Sequence, residues 1–319
     1  MSELLEHRLV FVTGKGGVGR TTVASALGLL ASAQGKRALV CEMEPRGDLA
    51  GTFECGPVGY VPRVLDAGLS VMAMDTEAAL AEYLRLHLHL PMTGRAGPVA
   101  QALDFLAAAA PGVREILTIG KLCYEVREDH YDLVVVDATA SGHIVGHFAA
   151  PVAMNELVRV GAVRSETAWM LELLSDRDKT GVVVVTTPEE MPVNEAVELT
   201  ARLEAETGVA LAAVIANRVL PELFGRAEEE DFAALAKSDH LDRLSRELPG
   251  DAGALEHVLG AASLAVQIRR EGAAHLERLS DSLPAGVPLL HLPYLFGRAH
   301  GPRAVRRIAE LLGEELSLT

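Results

Sequence analysis

A glycine-rich segment near the start of the chain has the composition of a phosphate-binding loop. It lies between an apolar run and a helical pattern, and its residues are Gly14, Lys15, Gly16, Gly17, Val18, Gly19, Arg20, Thr21 and Thr22. Glycine permits positive φ angles and a close backbone approach, so successive amides and the helix N-terminus can face an anion. The Thr21 hydroxyl then falls where Mg²⁺ is expected beside a bound phosphate. A tight turn alone explains one or two glycines, but not four glycines with two cations and two threonines in this order.

A second candidate for metal chemistry is Asp137, which ends an apolar run at 133–136. A carboxylate at the end of a strand can face Mg²⁺ or the water molecules that the ion holds. A lone aspartate can also serve only to cap the turn that follows a strand. From spacing alone, the residue is therefore predicted to be either a magnesium ligand or a turn cap.

The elements that must position these residues alternate in type along the chain. Short runs rich in Val, Leu and Ile predict strands at 8–13, 37–43, 69–75, 132–137, 181–187, 212–217 and 288–292. Helical spacing of apolar residues is found at 22–33, closing at Gly35, and at 76–88. Strands that are apolar on both faces and alternate with helices are typical of a parallel sheet covered on both sides. The sequence predicts an α/β fold with a doubly wound, mostly parallel sheet.

Some of the connecting stretches are longer than simple crossovers need. The stretches 76–129, 144–179 and 222–280 are rich in Ala, Leu and Glu, and we expect an inserted helical lobe mainly from the first two. No internal repeat, proline-rich linker or long charge block marks a boundary, so residues 1–319 are predicted to form a single domain. A last helix at 302–316 has one apolar face, which favours packing on the sheet over binding to a membrane surface.

The composition excludes several classes of function. The chain has 319 residues, of which 49% are hydrophobic, and a formal net charge of −15. This charge has the wrong sign for broad binding to nucleic acid or anionic lipid. The three cysteines are far apart and the start of the chain is acidic, as expected for a cytoplasmic protein with reduced thiols. Polar residues and prolines interrupt the longest uncharged runs, so we predict no integral membrane segment.

The glycine loop resembles the signature Gly-Lys-Gly-Gly-x-Gly-Lys-Thr of the deviant P-loop ATPases. In that superfamily the early lysine reaches across a dimer to the other subunit's nucleotide, so the resemblance implies paired subunits and a catalytic role for Lys15. The ordinary P-loop lysine is replaced here by Arg20. A guanidinium keeps the charge, but its planar shape differs from an ammonium and can alter the contact to the β and γ phosphates.

The segment from Asp137 to His143 resembles the second nucleotide-sensing switch of the arsenite-pump ATPase and tail-anchored-protein targeting ATPase family. The overall pattern is most similar to the paired actinobacterial members. In this family, Asn217 matches the residue that reads adenine, and an amide can pair with both a donor and an acceptor. Pro293 begins a segment that resembles the late loop closing over adenine. The resemblance implies ATP and Mg²⁺ as cofactors, and pairing as a homodimer or as a heterodimer with a homologous ATPase.

The acid that orients the attacking water is the least determined part of the candidate site. The first switch spans 42–51, and the targeting ATPases carry their water-orienting Asp six residues after its proline, where this chain has Gly51. The nitrogenase iron protein has an Asp at the position of Asp48, whereas the Min and Par ATPases have an acid at the position of Glu44. Asp48 is favoured over Glu44, but an exposed turn with charged side chains would have the same spacing.

Three functions are consistent with these residues. The leading one is an ATP-hydrolysing dimeric switch that couples its nucleotide state to a membrane-protein client or a membrane transport partner. The chain lacks the ordinary P-loop lysine, which is Arg20 here, and the water-orienting Asp, which is Gly51 here. Turnover is therefore expected to be slow, and a regulatory ATP-binding subunit is a serious alternative. A Min/Par-like positioning ATPase is disfavoured by the negative charge and by the match at 137–143.

Overall fold

The described part of this computed structural model comprises residues 2–88, 112–157, 162–222, 252–297 and 300–317, with isolated positions between 224 and 231. Within it, one eight-stranded sheet has the order β3-β4-β2-β5-β1-β6-β7-β8. Its strands are β1 (Leu9–Gly14), β2 (Ala38–Glu42), β3 (Arg63–Asp66), β4 (Leu69–Ala73), β5 (Leu133–Ala140), β6 (Thr180–Thr186), β7 (Leu211–Val219) and β8 (Leu289–Pro293). Every neighbouring pair is parallel except β3 and β4.

Helices connect the strands and cover both faces of the sheet. They are α1 (Arg20–Ala33), α2 (Asp48–Phe53), α3 (Thr76–Leu88), α4 (Val113–Arg127), α5 (Ser141–Leu157), α6 (Ala162–Ser175), α7 (Glu190–Thr207), α8 (Ala252–Ser282) and α9 (Pro302–Glu315). Helix α1 ends at Ala33, and Gly35 follows with φ of +84°, as the sequence predicts. The predicted helix at 76–88 is α3.

Two hydrophobic cores lie on opposite faces because side chains alternate along each strand. On β1, Leu9 and Phe11 contribute to the core beneath α4–α8, whereas Val10 and Val12 contribute to the core beneath α1, α2 and α9. Phe11 meets Phe148 of α5 edge to face, with 4.9 Å between ring centroids. The doubly wound α/β prediction is confirmed.

The structure contains the seven predicted strands, with ends shifted by a few residues, and adds β3 at the edge of the sheet. β3 pairs antiparallel with β4 through a turn at Gly68, where φ is +101°. Its Arg63 and Val64 are exposed, so the segment lacks the continuous apolar run that identifies a buried strand. A four-residue edge strand of this kind has almost no signal in the hydrophobic pattern.

The helices between β4 and β6 pack on one another as well as on the sheet. Helix α4 contacts α3, α5 and α6, and α5 also contacts α7. Of the predicted lobe, residues 89–111 and 158–161 lie outside the described residues, and its division from the rest of the domain stays a prediction. Helix α9 buries Val305, Ile308 and Leu312 against the sheet, as predicted. None of the helices in the described ranges combines the length and the hydropathy that a membrane span requires.

Candidate functional site

The glycine loop joins β1 to α1, and several of its residues have backbone conformations that favour glycine. The φ angle is +146° at Gly14, +89° at Gly17 and +99° at Gly19. A Cβ atom at Gly14 would collide with the carbonyl oxygen of Val185 on β6, so only glycine fits there. Gly19 is the N-cap of α1 and has no side chain to cap the first amides of the helix. The loop therefore has the uncapped N–H groups that an anion site requires.

The other predicted residues of the loop divide between accessible backbone and buried core. Gly16 and Gly17 are exposed, with open space where a Cβ would lie. Val18 is buried in the core beneath α1, and Thr22 is half-buried in the first turn of that helix. Val18 thus anchors the loop, while the exposed glycines leave its amides accessible.

Thr21 and Asp137 meet at the end of the glycine loop. The Thr21 hydroxyl donates a hydrogen bond of 2.6 Å to Asp137 Oδ2. The pKa of Asp137 is raised to about 6, mainly by burial and to a smaller extent by the nearby carboxylates of Glu42 and Asp48, whereas the Thr21 hydrogen bond and the charge of Arg20 lower it. The pair predicted as magnesium ligands is therefore brought together, and its carboxylate is poorly stabilised by the protein alone.

Three buried oxygens around this pair lack a hydrogen-bond partner within the described residues. They are Asp137 Oδ1, Glu42 Oε2 and Thr139 Oγ1. Unsatisfied buried carboxylate oxygens are costly, and carboxylate and hydroxyl oxygens are the ligands that Mg²⁺ prefers. The residues present therefore fit a magnesium ion, which Thr21 and Asp137 would hold. Such an ion would supply positive charge beside the phosphates.

Glu42 is a site residue that we did not predict. It is the last residue of β2, is 2% exposed, and lies opposite Asp137 in the register of β2 and β5. Its Oε1 accepts hydrogen bonds of 3.0 Å from the backbone N–H groups of Arg46 and Asp48. Glu42 therefore fixes the first switch. The available signal is its position, since an acid at the end of an apolar run is also what identifies Asp137.

The two cations of the loop are bound by groups of the same chain. The Arg20 guanidinium donates to the backbone carbonyl oxygen of Ala138, the residue after Asp137. The Lys15 ammonium lies 3.2 Å from Glu195 Oε2 on α7, and the Lys15 side chain is 32% exposed. Arg20 is thus close to the predicted metal site, whereas Lys15 points toward a different helix.

The candidate catalytic acids are placed differently within the first switch. Asp48 is exposed and begins α2, with its backbone N–H bound to Glu42. Glu44 is half-buried and accepts a hydrogen bond from Arg46. Gly51 is exposed in α2 and has no contacts where a side chain would begin. Of the two acids, Asp48 is the one whose charge contributes to the raised pKa of Asp137.

A cavity of about 830 Å³ lies beside both switches. Its lining includes Glu44 from the first switch, Thr139 and His143 from the second switch, and Asp75, which lies two residues after β4. The fold therefore brings two segments that are almost a hundred residues apart to one space. Movement of either switch would change the shape of this cavity.

Asn217 is buried at the end of β7 and contacts the glycine loop. Its Nδ2 donates to the carbonyl oxygen of Val18 at 2.8 Å, and its Oδ1 accepts from the backbone N–H of Arg218 at 2.9 Å. A cavity of about 240 Å³ begins at Arg218 and is also lined by Tyr294, which follows Pro293. The amide of Asn217 therefore supports the glycine loop, and Pro293 pairs with Val219, two residues farther along β7. The predicted contacts of Asn217 and Pro293 with adenine stay predictions.

Comparisons with known proteins match most of this chain to one family. The sequence profile of the family described as Anion-transporting ATPase matches residues 7–168 and 160–241. The ATPase BagA of Mycobacterium tuberculosis is 33% identical over 249 residues, which are 75% of this chain and 72% of that protein. The ATPase get3 of Schizosaccharomyces japonicus is 26% identical over 181 residues, which are 55% of each chain. The ATPase ASNA1 homolog 1 of Paramecium tetraurelia is 31% identical over 136 residues, which are 42% of this chain and 40% of that protein.

The matched residues contain both switches and the glycine loop, and the profile covers well over half of the chain. The predicted resemblance is therefore confirmed. The chain belongs to the anion-transporting ATPase family and is an ATP-binding P-loop ATPase.

Proposed function

We propose that the chain is a Mg·ATP-dependent switch that acts as a pair of homologous subunits and couples its nucleotide state to a membrane-protein client or membrane transport partner. A cytoplasmic location is part of this proposal. The observation that carries it is the hydrogen bond between Thr21 and Asp137 beside the N-terminus of α1, together with three buried oxygens that have no hydrogen-bond partner in the described part of the chain. This arrangement supports phosphate and magnesium binding independently of any catalytic acid.

Pairing is supported by the position of Lys15. A cation just after the first glycine of the loop lies on partly exposed backbone rather than at the ordinary P-loop lysine position, which Arg20 occupies. From there its long side chain can serve the nucleotide of a second subunit. Cations supplied across an interface contribute about a thousandfold or more to phosphoryl transfer where they operate. The second subunit is either a copy of this chain or a homologous ATPase.

Coupling to a client is supported by the connection between the second switch and the helices of the predicted lobe. Helix α5 begins at Ser141, only a few residues after Asp137, and it packs against α4, α6 and α7. An apolar cavity of about 240 Å³ lies among α3, α4 and α6, with Leu80, Ile116 and Met170 in its lining. A shift of the second switch would therefore change the packing around a space that suits apolar side chains.

Slow turnover is supported by the first switch. Gly51 has no side chain that could orient water, and its position is open. Asp48 is our candidate for this role, because Glu42 holds its backbone close to Asp137, and Glu44 is the alternative. Arg20 would contribute charge near the phosphates, in place of the ordinary lysine.

A regulatory ATP-binding subunit with little turnover is the second candidate. It is favoured by the same absence of a side chain at Gly51 and by the hydrogen bond that directs Arg20 to the backbone of Ala138. In this function the chain would bind nucleotide and report it to a catalytic homologue. Binding without hydrolysis distinguishes it from the first candidate.

Steady-state hydrolysis at increasing concentrations of the chain tests the proposal. We expect a Mg²⁺-dependent rate per chain that rises with protein concentration, because the active species is paired. Lys15→Ala should abolish this rise. Saturable ATP binding by calorimetry without any hydrolysis would favour the regulatory function, and no saturable binding in Mg²⁺ would contradict both.

A further inference from the structure

The side chain of Lys15 is held by a helix that belongs to its own subunit. Its ammonium lies 3.2 Å from Glu195 Oε2, and the geometry is that of an ion pair rather than an aligned hydrogen bond. Glu195 is in the second turn of α7, where its neighbour Ala196 and the nearby Val193 are buried. Because α7 is anchored by these residues, the carboxylate cannot travel with a lysine that extends toward another subunit.

The same carboxylate is bonded to the second switch. Glu195 Oε1 accepts a hydrogen bond of 2.8 Å from the Ser141 hydroxyl, and Ser141 is the first residue of α5. Ser141 lies four positions after Asp137, at the end of the strand that carries the predicted magnesium ligand. Glu195 therefore links the early cation of the glycine loop to the segment that is expected to respond to nucleotide.

We propose that Glu195 is a positioning residue that keeps Lys15 within its own subunit and releases it when the second switch moves. The proposal rests on the function proposed above for Lys15, which must reach the nucleotide of a second, homologous chain. While the ion pair is intact, Lys15 cannot serve that nucleotide. A shift of Ser141 removes one of the two contacts that orient the Glu195 carboxylate, and the ion pair loosens.

The expected size of the effect follows from the exposure of the pair. The side chains of Lys15 and Glu195 are 32% and 38% exposed, and ion pairs of this kind contribute modestly in water. The ion pair with Glu195 should therefore raise the dissociation constant of the paired subunits by about two- to fivefold, and it should not prevent pairing. A contact of this strength shifts the ATP concentration at which pairs form. The contacts of the subunit interface are sufficient to break it.

The test compares pairing of Glu195→Gln with pairing of the wild type, by sedimentation in Mg²⁺ and a non-hydrolysable ATP analogue. Glutamine keeps the size of the side chain and an acceptor for Ser141, but removes the charge that holds Lys15. We expect the dissociation constant of the pair to fall by about two- to fivefold. Glu198→Gln is the matched control, because Glu198 is on the same helix but faces Arg202.

Two further measurements show that the effect acts through Lys15. The Lys15→Ala chain is expected to stay unpaired, and Glu195→Gln should not restore pairing in that background. In the nucleotide-free chain, an amine-reactive reagent followed by mass spectrometry should label Lys15 about two- to fivefold faster in Glu195→Gln than in the wild type or in Glu198→Gln. A merely structural role for Glu195 would alter neither result in this way.

The outcomes separate this inference from the proposed function. Suppose that the wild type pairs in a Lys15-dependent way but that Glu195→Gln pairs more weakly or equally well. This result would overturn the proposed role of Glu195 and leave the proposed function intact. An equal effect of Glu195→Gln with and without Lys15 would do the same. If the wild type does not pair in any nucleotide state, the proposed function fails and the role of Glu195 falls with it.

Discussion

Glu42 and Asp137 lie directly opposite each other on the neighbouring strands β2 and β5, and both are buried. Each has one carboxylate oxygen that makes no hydrogen bond within the described residues. Two buried carboxylates at the same edge of a sheet repel each other, and the proximity of Glu42 contributes to the raised pKa of Asp137. A bound cation would relieve this repulsion, which is why we place the proposed magnesium ion beside this pair.

The first prediction concerns the stability of the chain without divalent cations. The pKa of Asp137 is raised from 3.8 to about 6. Between about pH 4 and pH 6 the folded state therefore keeps a proton on Asp137 that the unfolded state has already released. The contribution of Asp137 to the free energy of unfolding is therefore largest below about pH 4. It falls by about 3 kcal/mol in total as the pH rises through 6. Asp137→Asn should remove the loss and stabilise the metal-free chain at pH 7 by an amount approaching this value.

Urea unfolding of wild type and Asp137→Asn from pH 4 to pH 8 in a chelator checks this prediction. Only the difference between the two chains is informative, because other groups titrate in both. Asp66→Asn is the control, since Asp66 is exposed next to the turn between β3 and β4. A difference that does not grow between pH 4 and pH 7 would contradict the environment described for Asp137.

Loss of the Thr21 hydroxyl should weaken the Mg²⁺-dependent part of ATP binding. Thr21→Ala removes the donor to Asp137 Oδ2 and one predicted ligand of the ion, so the dissociation constant in Mg²⁺ should rise about tenfold or more. In EDTA the two chains should differ much less. Calorimetry in both conditions measures this, with Ser32→Ala near the other end of α1 as control. Equal weakening with and without Mg²⁺ would argue against a metal role for Thr21.

Asp48→Asn should separate binding from chemistry. The backbone of residue 48 stays bonded to Glu42 in this variant, so ATP affinity should be kept. The single-turnover rate should fall by on the order of a hundredfold, the usual scale for a positioned acid or base. Glu44→Gln is the comparison and should have little effect, because Glu44 is paired with Arg46. If Glu44→Gln lowers the single-turnover rate and Asp48→Asn does not, Glu44 and not Asp48 is the acid that orients the attacking water.

Asn217→Ala should reduce the preference for ATP over GTP. We expect the ratio of the two affinities to fall about five- to tenfold, because one hydrogen-bonding group on the base side is lost. Since Asn217 also bonds to Val18, some loss of affinity for both nucleotides should accompany the change. Competition binding measures the ratio, with Asn194→Ala on α7 as control. An unchanged ratio would leave Asn217 with its structural role only.

The parts of this site that could be predicted from sequence are those with a local signal. The glycine loop follows β1, Thr21 lies in the first turn of the helix after the loop, and Asp137 ends the apolar run of β5. The strand ends of a parallel sheet meet at one edge. Glu42 has the same kind of position but was not recognised, because the neighbouring Glu44 and Asp48 matched known switches. Strand β3 lacks an apolar run, so its existence depends on pairing with β4.

Contacts between distant segments had no such signal. The hydrogen bond from Asn217 to Val18 joins residues 199 positions apart, and that from Ser141 to Glu195 joins residues 54 apart. Neither spacing is periodic. The first contact depends on how β7 lies against the glycine loop, and the second on how α5 packs against α7. The ion pair of Lys15 with Glu195 is a further example, since the motif indicates a lysine directed to another subunit and says nothing of its partner in the free chain.

The central claim is that ATP drives pairing through Lys15, and light scattering tests it most directly. In Mg²⁺ and ATP, or a non-hydrolysable analogue, the mass of the wild type should double relative to the chain in ADP. Lys15→Ala should stay unpaired and lose about a thousandfold in hydrolysis, with ATP affinity altered only slightly. A wild type that binds Mg·ATP but keeps one mass in every nucleotide state, or a Lys15→Ala chain that pairs and hydrolyses like the wild type, would contradict the claim.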